Sequence, residues 1–155
     1  MQNEAIAVLV REHPFTKGFW PEHVEKLAAL ASEARFAPGE MIFHEGDHSS
    51  LFYLIMNGSV ALEVVDPGRP VRISTLWSGD VLGWSSVSTD DSKQFQARAL
   101  EDVQALAFDG TRLSHACEED YAFGYAFMRA ILNVMTERLH AIRGQVLELY
   151  TPVVA

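Results

Sequence analysis

A short segment carries four side chains that can bind a metal ion: His44, Glu45, Asp47 and His48. Imidazole and carboxylate groups are reasonable ligands for zinc, iron or manganese. A metal centre of this kind usually needs a further histidine from elsewhere in the fold, but the later His115 and His140 lie in segments with a helical pattern. We therefore expect the four residues to be solvated loop residues rather than metal ligands.

Cys117 is the next candidate for chemistry, because His115 lies two residues before it and a thiolate with a nearby base can act as a nucleophile. No third group that would orient the histidine is evident. The sequence also lacks the glycine-rich motifs of phosphate-binding loops, dinucleotide sites and serine hydrolases. We predict a non-catalytic protein in which Cys117 is a partly buried free thiol.

The elements that must position these groups change character along the chain. Residues 1–36 have a helical pattern, with Pro21 suited to a first turn, and Ala37-Pro38-Gly39 would end it. From 41 to 108, short β-type runs alternate with Gly, Pro, Asn and Asp. The predicted fold is mainly β with flanking helices: a β-roll or jelly roll over 37–108 in a single domain of 155 residues.

Two turns mark the predicted β-roll. Asn57-Gly58 separates the runs 51–56 and 59–65 and predicts a hairpin, because this pair readily adopts two positive φ angles. Asp66-Pro67-Gly68-Arg69 leads into a run at 71–76, and further strands are predicted at 81–82, 95–100 and 104–108. Asp109 would cap a short helix over 111–116, and acidic residues at 118–120 precede a long helix over 121–150.

The long helix carries an apolar heptad seam formed by Tyr125, Met128, Leu132, Met135, Leu139, Ile142, Val146 and Leu149. A second set, the docking stripe, lies on a neighbouring face and consists of Phe123, Phe127, Ile131 and Val134. One apolar face attaches a helix to its own domain, so the seam needs another surface. We predict a homodimer through the seam, with Arg138 and Arg143 where a partner's acids could reach them; in the alternative, both sets lie under the β-roll of a monomer.

The amino-acid composition limits the classes of function and the cellular locations that the sequence favours. Twelve basic against 21 acidic residues give a net charge of −9, which disfavours binding to nucleic acid. The single cysteine excludes an internal disulfide and favours a reducing compartment. The sequence shows no basic leader and no apolar run long enough to cross a bilayer, so we expect a cytoplasmic protein that does not insert into membranes.

Several motifs, taken in order, resemble the cyclic-nucleotide-binding domain of the catabolite-activator (Crp/Fnr) family. They are Ala37-Pro38-Gly39-Glu40, Glu45-Gly46-Asp47, Asn57-Gly58-Ser59, Gly79-Asp80-Val81-Leu82-Gly83 and Ala97-Arg98-Ala99. The resemblance implies a β-roll that holds a phosphate cassette, in which a short helix and one arginine bind a cyclic phosphate. In this sequence the cassette corresponds to Gly83, Trp84, Ser85, Ser86 and Val87.

The cassette departs from the family pattern at two positions. Trp84 stands where nucleotide-binding members have a glutamate that accepts a hydrogen bond from the ribose, and Lys93 stands in place of the arginine that binds the phosphate. Trp84 would either stack on a ligand or fill the pocket, with filling favoured. Ser85 and Ser86 would either contact an anion or cap the short helix, and Arg98 would be either an anion contact or a solvated strand residue.

Taken together, the sequence predicts a dimeric, non-catalytic sensor module that signals to a partner protein. It would bind no nucleic acid directly, because the family's helix-turn-helix would have to follow residue 150 and the sequence ends at Ala155. The ligand stays open: a cyclic nucleotide, which the departures disfavour, or another small anion, with no certain cofactor. The alternatives are a cupin-like metal-dependent enzyme and a purely structural dimeric adaptor.

Overall fold

The computed structural model describes residues 2–48, 50–87 and 95–150. Its helices are α1 (Gln2–Glu12), α2 (Pro21–Ala28), α3 (Gly110–Glu119) and α4 (Tyr121–Tyr150), with 3-10 turns at Pro14–Thr16 and Trp84–Val87. Its strands are β1 (Ala31–Phe36), β2 (Met41–Phe43), β3 (Leu51–Asn57), β4 (Ser59–Asp66), β5 (Arg69–Trp77), β6 (Val81–Leu82), β7 (Gln96–Ala99) and β8 (Val103–Asp109). The predicted β-roll with flanking helices and a long last helix is confirmed.

Two antiparallel sheets form the β-roll, with strand orders β1-β8-β3-β6 and β2-β7-β4-β5. The central strands of the first sheet, β3 and β8, are buried on both faces. In β3, Tyr53 and Ile55 point into the core between the sheets, while Phe52 and Leu54 join a second core under the helices. Strand β3 is therefore an almost continuous apolar run rather than an alternating one.

The docking stripe attaches α4 to this second core. Phe127 makes an edge contact with Phe15 at 5.5 Å and with Phe52 at 5.6 Å between ring centroids, and Phe123 and Phe127 are completely buried. Ile131 is 8% exposed and Val134 packs against the same core. Each such side chain is worth roughly 1.5–3 kcal/mol when removed from water, so the first half of α4 is firmly held.

The predicted cap of the short helix and the acidic start of the long one are present. Asp109 precedes α3 and accepts hydrogen bonds from the backbone N–H groups of Thr111 (2.9 Å) and Arg112 (3.1 Å). Asp120 accepts from the N–H of Phe123 at 3.2 Å and from the Lys26 ammonium at 2.8 Å. These bonds, led by the Lys26 contact, lower the pKa of Asp120.

The helical prediction for 1–36 is wrong over its last part, where Ala31–Phe36 forms strand β1. The segment is rich in Ala, Glu and Arg, which favour helices in isolation. Six successive residues of β1 pair instead with β8, from Ala31 opposite Phe108 to Phe36 opposite Val103. Pairing with a buried strand outweighs the local helix propensity.

The hairpin predicted at Asn57-Gly58 is also wrong. Strand β3 pairs with β6 and β8, whereas β4 pairs with β5 and β7, so Asn57-Gly58 carries the chain from one sheet to the other. Only Gly58 has a positive φ, 95°. A Cβ at Gly58 would lie 2.3 Å from the carbonyl oxygen of Asp102, so glycine allows a close crossing here. Strands β4 and β5 form a β-hairpin that turns at Asp66-Pro67-Gly68-Arg69.

Among the residues that the structure describes, no helix is both long enough and apolar enough to cross a membrane.

Candidate functional site

The cassette follows directly after the two-residue strand β6. Gly83 has φ 81°, a left-handed conformation that favours glycine, and it turns the chain into the 3-10 turn Trp84–Val87. The N–H of Ser86 closes this turn on the Gly83 carbonyl at 3.0 Å. The segment Gly83–Val87 therefore forms one tight turn that packs against the helices.

Trp84 is half-buried, and both Trp84 and Val87 pack against the core under the helices. Trp84 also borders a cavity of about 30 Å³ together with Gly83, Ser85, Phe43, Leu62, Leu82, Phe95 and Arg138. A cavity of this volume has room for water rather than for a nucleotide. Lys93, which stands in place of the family's phosphate-binding arginine, lies outside the described residues.

The two cassette serines face different neighbours. Ser85 borders the small cavity, whereas Ser86 lies against the first residue of α3. A Cβ added at Gly110 would come within 2.4 Å of the Ser86 carbonyl oxygen, so only glycine lets the cassette approach α3 so closely. The Ser86 hydroxyl is buried without a hydrogen-bond partner among the described residues.

Arg98 lies away from the small cavity. Its neighbours Ala97 and Ala99 point into the core between the sheets, so Arg98 takes the outer face of the second sheet. There its Nε lies 3.3 Å from a carboxylate oxygen of Glu63, which also accepts a hydrogen bond from Gln96 at 2.8 Å. The structure therefore does not bring Arg98 together with the cassette.

Among the residues that the structure describes, Arg138 is the charged residue that borders the small cavity, whereas its position beside the seam predicted a contact with the acids of a partner. Its guanidinium donates a hydrogen bond to the backbone carbonyl of Val81, and its side chain borders the small cavity beside Gly83. Burial lowers the pKa of Arg138, an effect that the negative charge of Asp80 partly offsets. One signal in the sequence indicates this position: Arg138 follows Val134 by four residues and so continues the docking stripe.

All eight residues of the heptad seam are exposed. Their exposed fractions are Tyr125 69%, Met128 42%, Leu132 62%, Met135 42%, Leu139 65%, Ile142 53%, Val146 44% and Leu149 83%. The docking stripe on the adjacent face is buried, so α4 has the two faces that its periodicity predicts. Residues 139–150 are exposed on every side of the helix.

A wide groove of about 820 Å³ runs beside the seam. One wall is the segment 14–23, which contributes Phe19 and Trp20, and the other is α4, which contributes Tyr125 and Arg129. The groove shares Tyr125 with the seam and Arg138 with the small cavity. The exposed surface of α4 is therefore continuous with the rim of the cassette region.

Two of the four residues considered for a metal site accept hydrogen bonds from the backbone. Asp47 accepts a hydrogen bond from the backbone N–H of His44 at 2.8 Å, and Glu45 accepts one from Val65 at 3.2 Å. Within 2–48, 50–87 and 95–150, no group of three or more His, Cys, Asp or Glu side chains is placed to hold a metal ion.

Cys117 is a half-buried free thiol. Burial, together with the charge of Glu118, raises its pKa to about 11. The thiol therefore stays protonated near neutral pH, which is unfavourable for a nucleophile.

Comparison with known proteins identifies the domain type. The profile of the cyclic nucleotide-binding domain matches residues 33–120. The chain is 30% identical over 83 residues to lysophospholipase NTE1 of Chaetomium globosum and 26% identical over 82 residues to its counterpart in Neosartorya fischeri. Each match covers 52% of this chain and 5% of the relative, so the chain corresponds to a small part of those proteins.

Solved structures show the same fold. A cyclic nucleotide-binding domain from Methylobacillus flagellatus superposes with a TM-score of 0.81 at 17% identity, covering 99% of this chain and 87% of the other. The N-terminal domain of a transcriptional regulator from Streptomyces coelicolor gives 0.70 at 24% identity, covering 84% and 94%. The catabolite activator protein of Thermus thermophilus gives 0.72 at 21% identity, covering 88% and 63%.

Proposed function

The chain belongs to the cyclic nucleotide-binding domain family, and from this we propose that it is a non-catalytic regulatory module that pairs with a second copy through α4 and signals to a partner protein. The observation that supports dimerisation most directly is the contrast between the two faces of α4. The docking stripe is buried in the chain's own core, while the eight seam residues are exposed.

The exposure and the seven-residue repeat of α4 both support a second copy of the chain as the partner of the seam. Residues 139–150 of α4 are exposed on all sides, whereas most of the stability of helices in proteins comes from packing of an apolar face. A seam repeating every seven residues matches an identical seam on a parallel helix. Because each large apolar side chain contributes roughly 1.5–3 kcal/mol when buried, pairing would stabilise both the dimer and the end of the helix.

Sedimentation equilibrium tests the dimer. Leu139→Glu places a charge in the middle of the seam, 65% exposed in the single chain, and should raise the dimer dissociation constant by at least about a hundredfold. His140→Glu is the matched control, since it adds the same side chain at the next exposed position off the seam. A wild-type chain that remains monomeric at high concentration, or equal effects of both variants, would contradict the proposal.

We propose a small oxyanion, rather than a whole cyclic nucleotide, as the ligand. The small cavity of about 30 Å³ and the indole of Trp84 at the position of the family's ribose-binding glutamate both support this proposal. A thermal-shift panel should therefore show little response to cyclic AMP or cyclic GMP and a larger one to organic or inorganic anions. A clear stabilisation by cyclic AMP would overturn it, and a dimer that responds to nothing would be a structural adaptor.

We further propose a reducing compartment such as the cytoplasm as the location, since Cys117 is the only cysteine and offers no internal disulfide.

A further inference from the structure

The wide groove between the segment 14–23 and α4 is long enough to hold part of another protein. Along one wall, α4 contributes residues from Ala122 to Arg138, which span about 24 Å of helix. Ala126 and Ala130 follow Ala122 at intervals of four residues on this wall, and their small side chains leave the groove wide. A groove of this length matches a bound helix of about four turns.

The groove has an aromatic end, formed by Phe19, Trp20 and His23. Trp20 is 62% exposed, and its indole stacks on the His23 ring at 5.4 Å between centroids with 7° between the planes. Phe19 is half-buried, and its ring meets that of Phe123 edge-on at 6.4 Å. These contacts position the rings before any partner binds, which lowers the entropic cost of binding. Aromatic side chains, Trp above all, are enriched among the residues that anchor protein interfaces.

Two cations line the groove on opposite walls. Lys17 lies two residues before the aromatic end, Arg129 lies on α4, and both are exposed. Neither forms an ion pair with any residue that the structure describes. The carboxylates that line the groove, Asp80 and Glu137, lie further along it: Glu137 is about 12 Å beyond Arg129 on the helix, and Asp80 is close enough to Arg138 to act on its charge. The half of the groove next to the aromatic end is therefore cationic, in a chain whose net charge is −9.

We propose that this half of the wide groove binds an acidic amphipathic helix of a partner protein, with the apolar face of the helix on the aromatic end and its carboxylates near Lys17 and Arg129. The inference rests on the proposed function, because it gives the chemistry of the partner to which the module signals. A second copy matches the groove less well, since α4 itself carries three arginines against two glutamates. Because the net charge of the chain repels acidic proteins, such a helix is held only where these two cations lie.

A displayed library of random peptides of about 16 residues, selected on the immobilised wild-type chain, supplies the probes. The enriched peptides should combine acidic residues with aromatic or aliphatic residues at helical spacing. Fluorescence anisotropy should show that Lys17→Glu/Arg129→Glu raises their dissociation constants at least about tenfold, because two attractions become repulsions. Trp20→Ala should also weaken binding. Arg112→Glu is the matched control, an exposed arginine on α3 outside the groove, and should bind as the wild type does.

No enrichment of acidic peptides, or equal binding to the wild type and to Lys17→Glu/Arg129→Glu, would overturn the inference. A charge-reversed variant that loses dimerisation but still binds the peptides would make the groove a contact between copies, which would overturn it as well. Circular dichroism checks that each variant is folded. Leu139→Glu should bind the peptides as tightly as the wild type, because Leu139 lies outside the groove. Sedimentation reports dimerisation separately, so a monomeric wild type that binds acidic peptides would contradict the dimer and support the docking groove.

Discussion

His13 is a buried histidine whose two ring nitrogens have different partners. Nδ1 accepts a hydrogen bond from the N–H of Phe15 at 3.1 Å, and Nε2 lies 3.2 Å from the carbonyl oxygen of Ile55. The first contact needs an unprotonated Nδ1, and the second needs a proton on Nε2, so the ring is neutral in this arrangement. Burial lowers the pKa of His13 below 6.5, although the Ile55 carbonyl and Asp80 act in the opposite direction.

This shift predicts a loss of stability in acid. Above pH 6.5, the pKa of histidine in the unfolded chain, His13 is neutral in both states. Below that pH the unfolded chain binds a proton at His13 while the folded chain does not, so protonation favours unfolding until the pH reaches the lower pKa of the folded chain. Urea unfolding at about pH 7.5 and about pH 5.5 should therefore show a larger acid loss for the wild type than for His13→Gln, which cannot titrate. If both proteins lost the same free energy of unfolding on acidification, the pH dependence of stability would come from groups other than His13.

The cassette shows how far single residues could be predicted from the sequence. The motif order located Gly83–Val87 correctly as a turn beside the roll, and it identified Trp84 as a bulky substitute. It did not indicate Arg138, because that contact joins residues 57 positions apart and depends on the rotation of α4. Arg98 could be predicted as an anion contact because alternation along a strand shows which residues share a face of the sheet, but it does not show which face borders a cavity.

At the level of elements, periodicity predicted α4 well and the strand pairing poorly. Heptad spacing is a local property, and it separated the buried docking stripe from the exposed seam. Ala31–Phe36 and Asn57-Gly58 depend on partners far away in sequence: β1 pairs with β8, and Gly58 crosses under Asp102. Local propensity favoured a helix and a hairpin there, and tertiary pairing decided otherwise.

Two glycines in α4 allow one substitution to be compared in two environments. A Cβ at Gly144 meets nothing within 4 Å, so Gly144→Ala should stabilise the helix by about 1 kcal/mol and tighten the proposed dimer. A Cβ at Gly124 would lie 2.7 Å from the carbonyl oxygen of Cys117, so Gly124→Ala should destabilise the packing of α4 on α3. Urea unfolding measures the change in the free energy of unfolding for each variant, which should rise for Gly144→Ala and fall for Gly124→Ala. Equal changes in the two variants would contradict this account.

For the whole molecule, charge and apolar surface act against each other in assembly. Each chain carries a formal charge of −9, so two copies repel at long range. The proposed interface is apolar along the seam, and α4 offers few acidic residues to meet Arg143 of a second copy. Association would therefore be driven by burial of the seam and opposed by net charge, not held by ion pairs across the helices.

Salt dependence separates these two contributions. Raising sodium chloride from about 0.05 M to about 0.5 M shortens the screening length severalfold, which weakens the repulsion between like-charged copies and leaves the apolar contact in place. The dimer dissociation constant measured by sedimentation should then fall with salt, and it should fall less in a chain with Asp66 and Glu118 changed to Asn and Gln. An interface held by ion pairs would show the opposite slope, because screening weakens attraction between opposite charges as well. A dissociation constant that rises with salt would therefore exclude the apolar seam as the main source of binding energy, even if the chain proved to be a dimer.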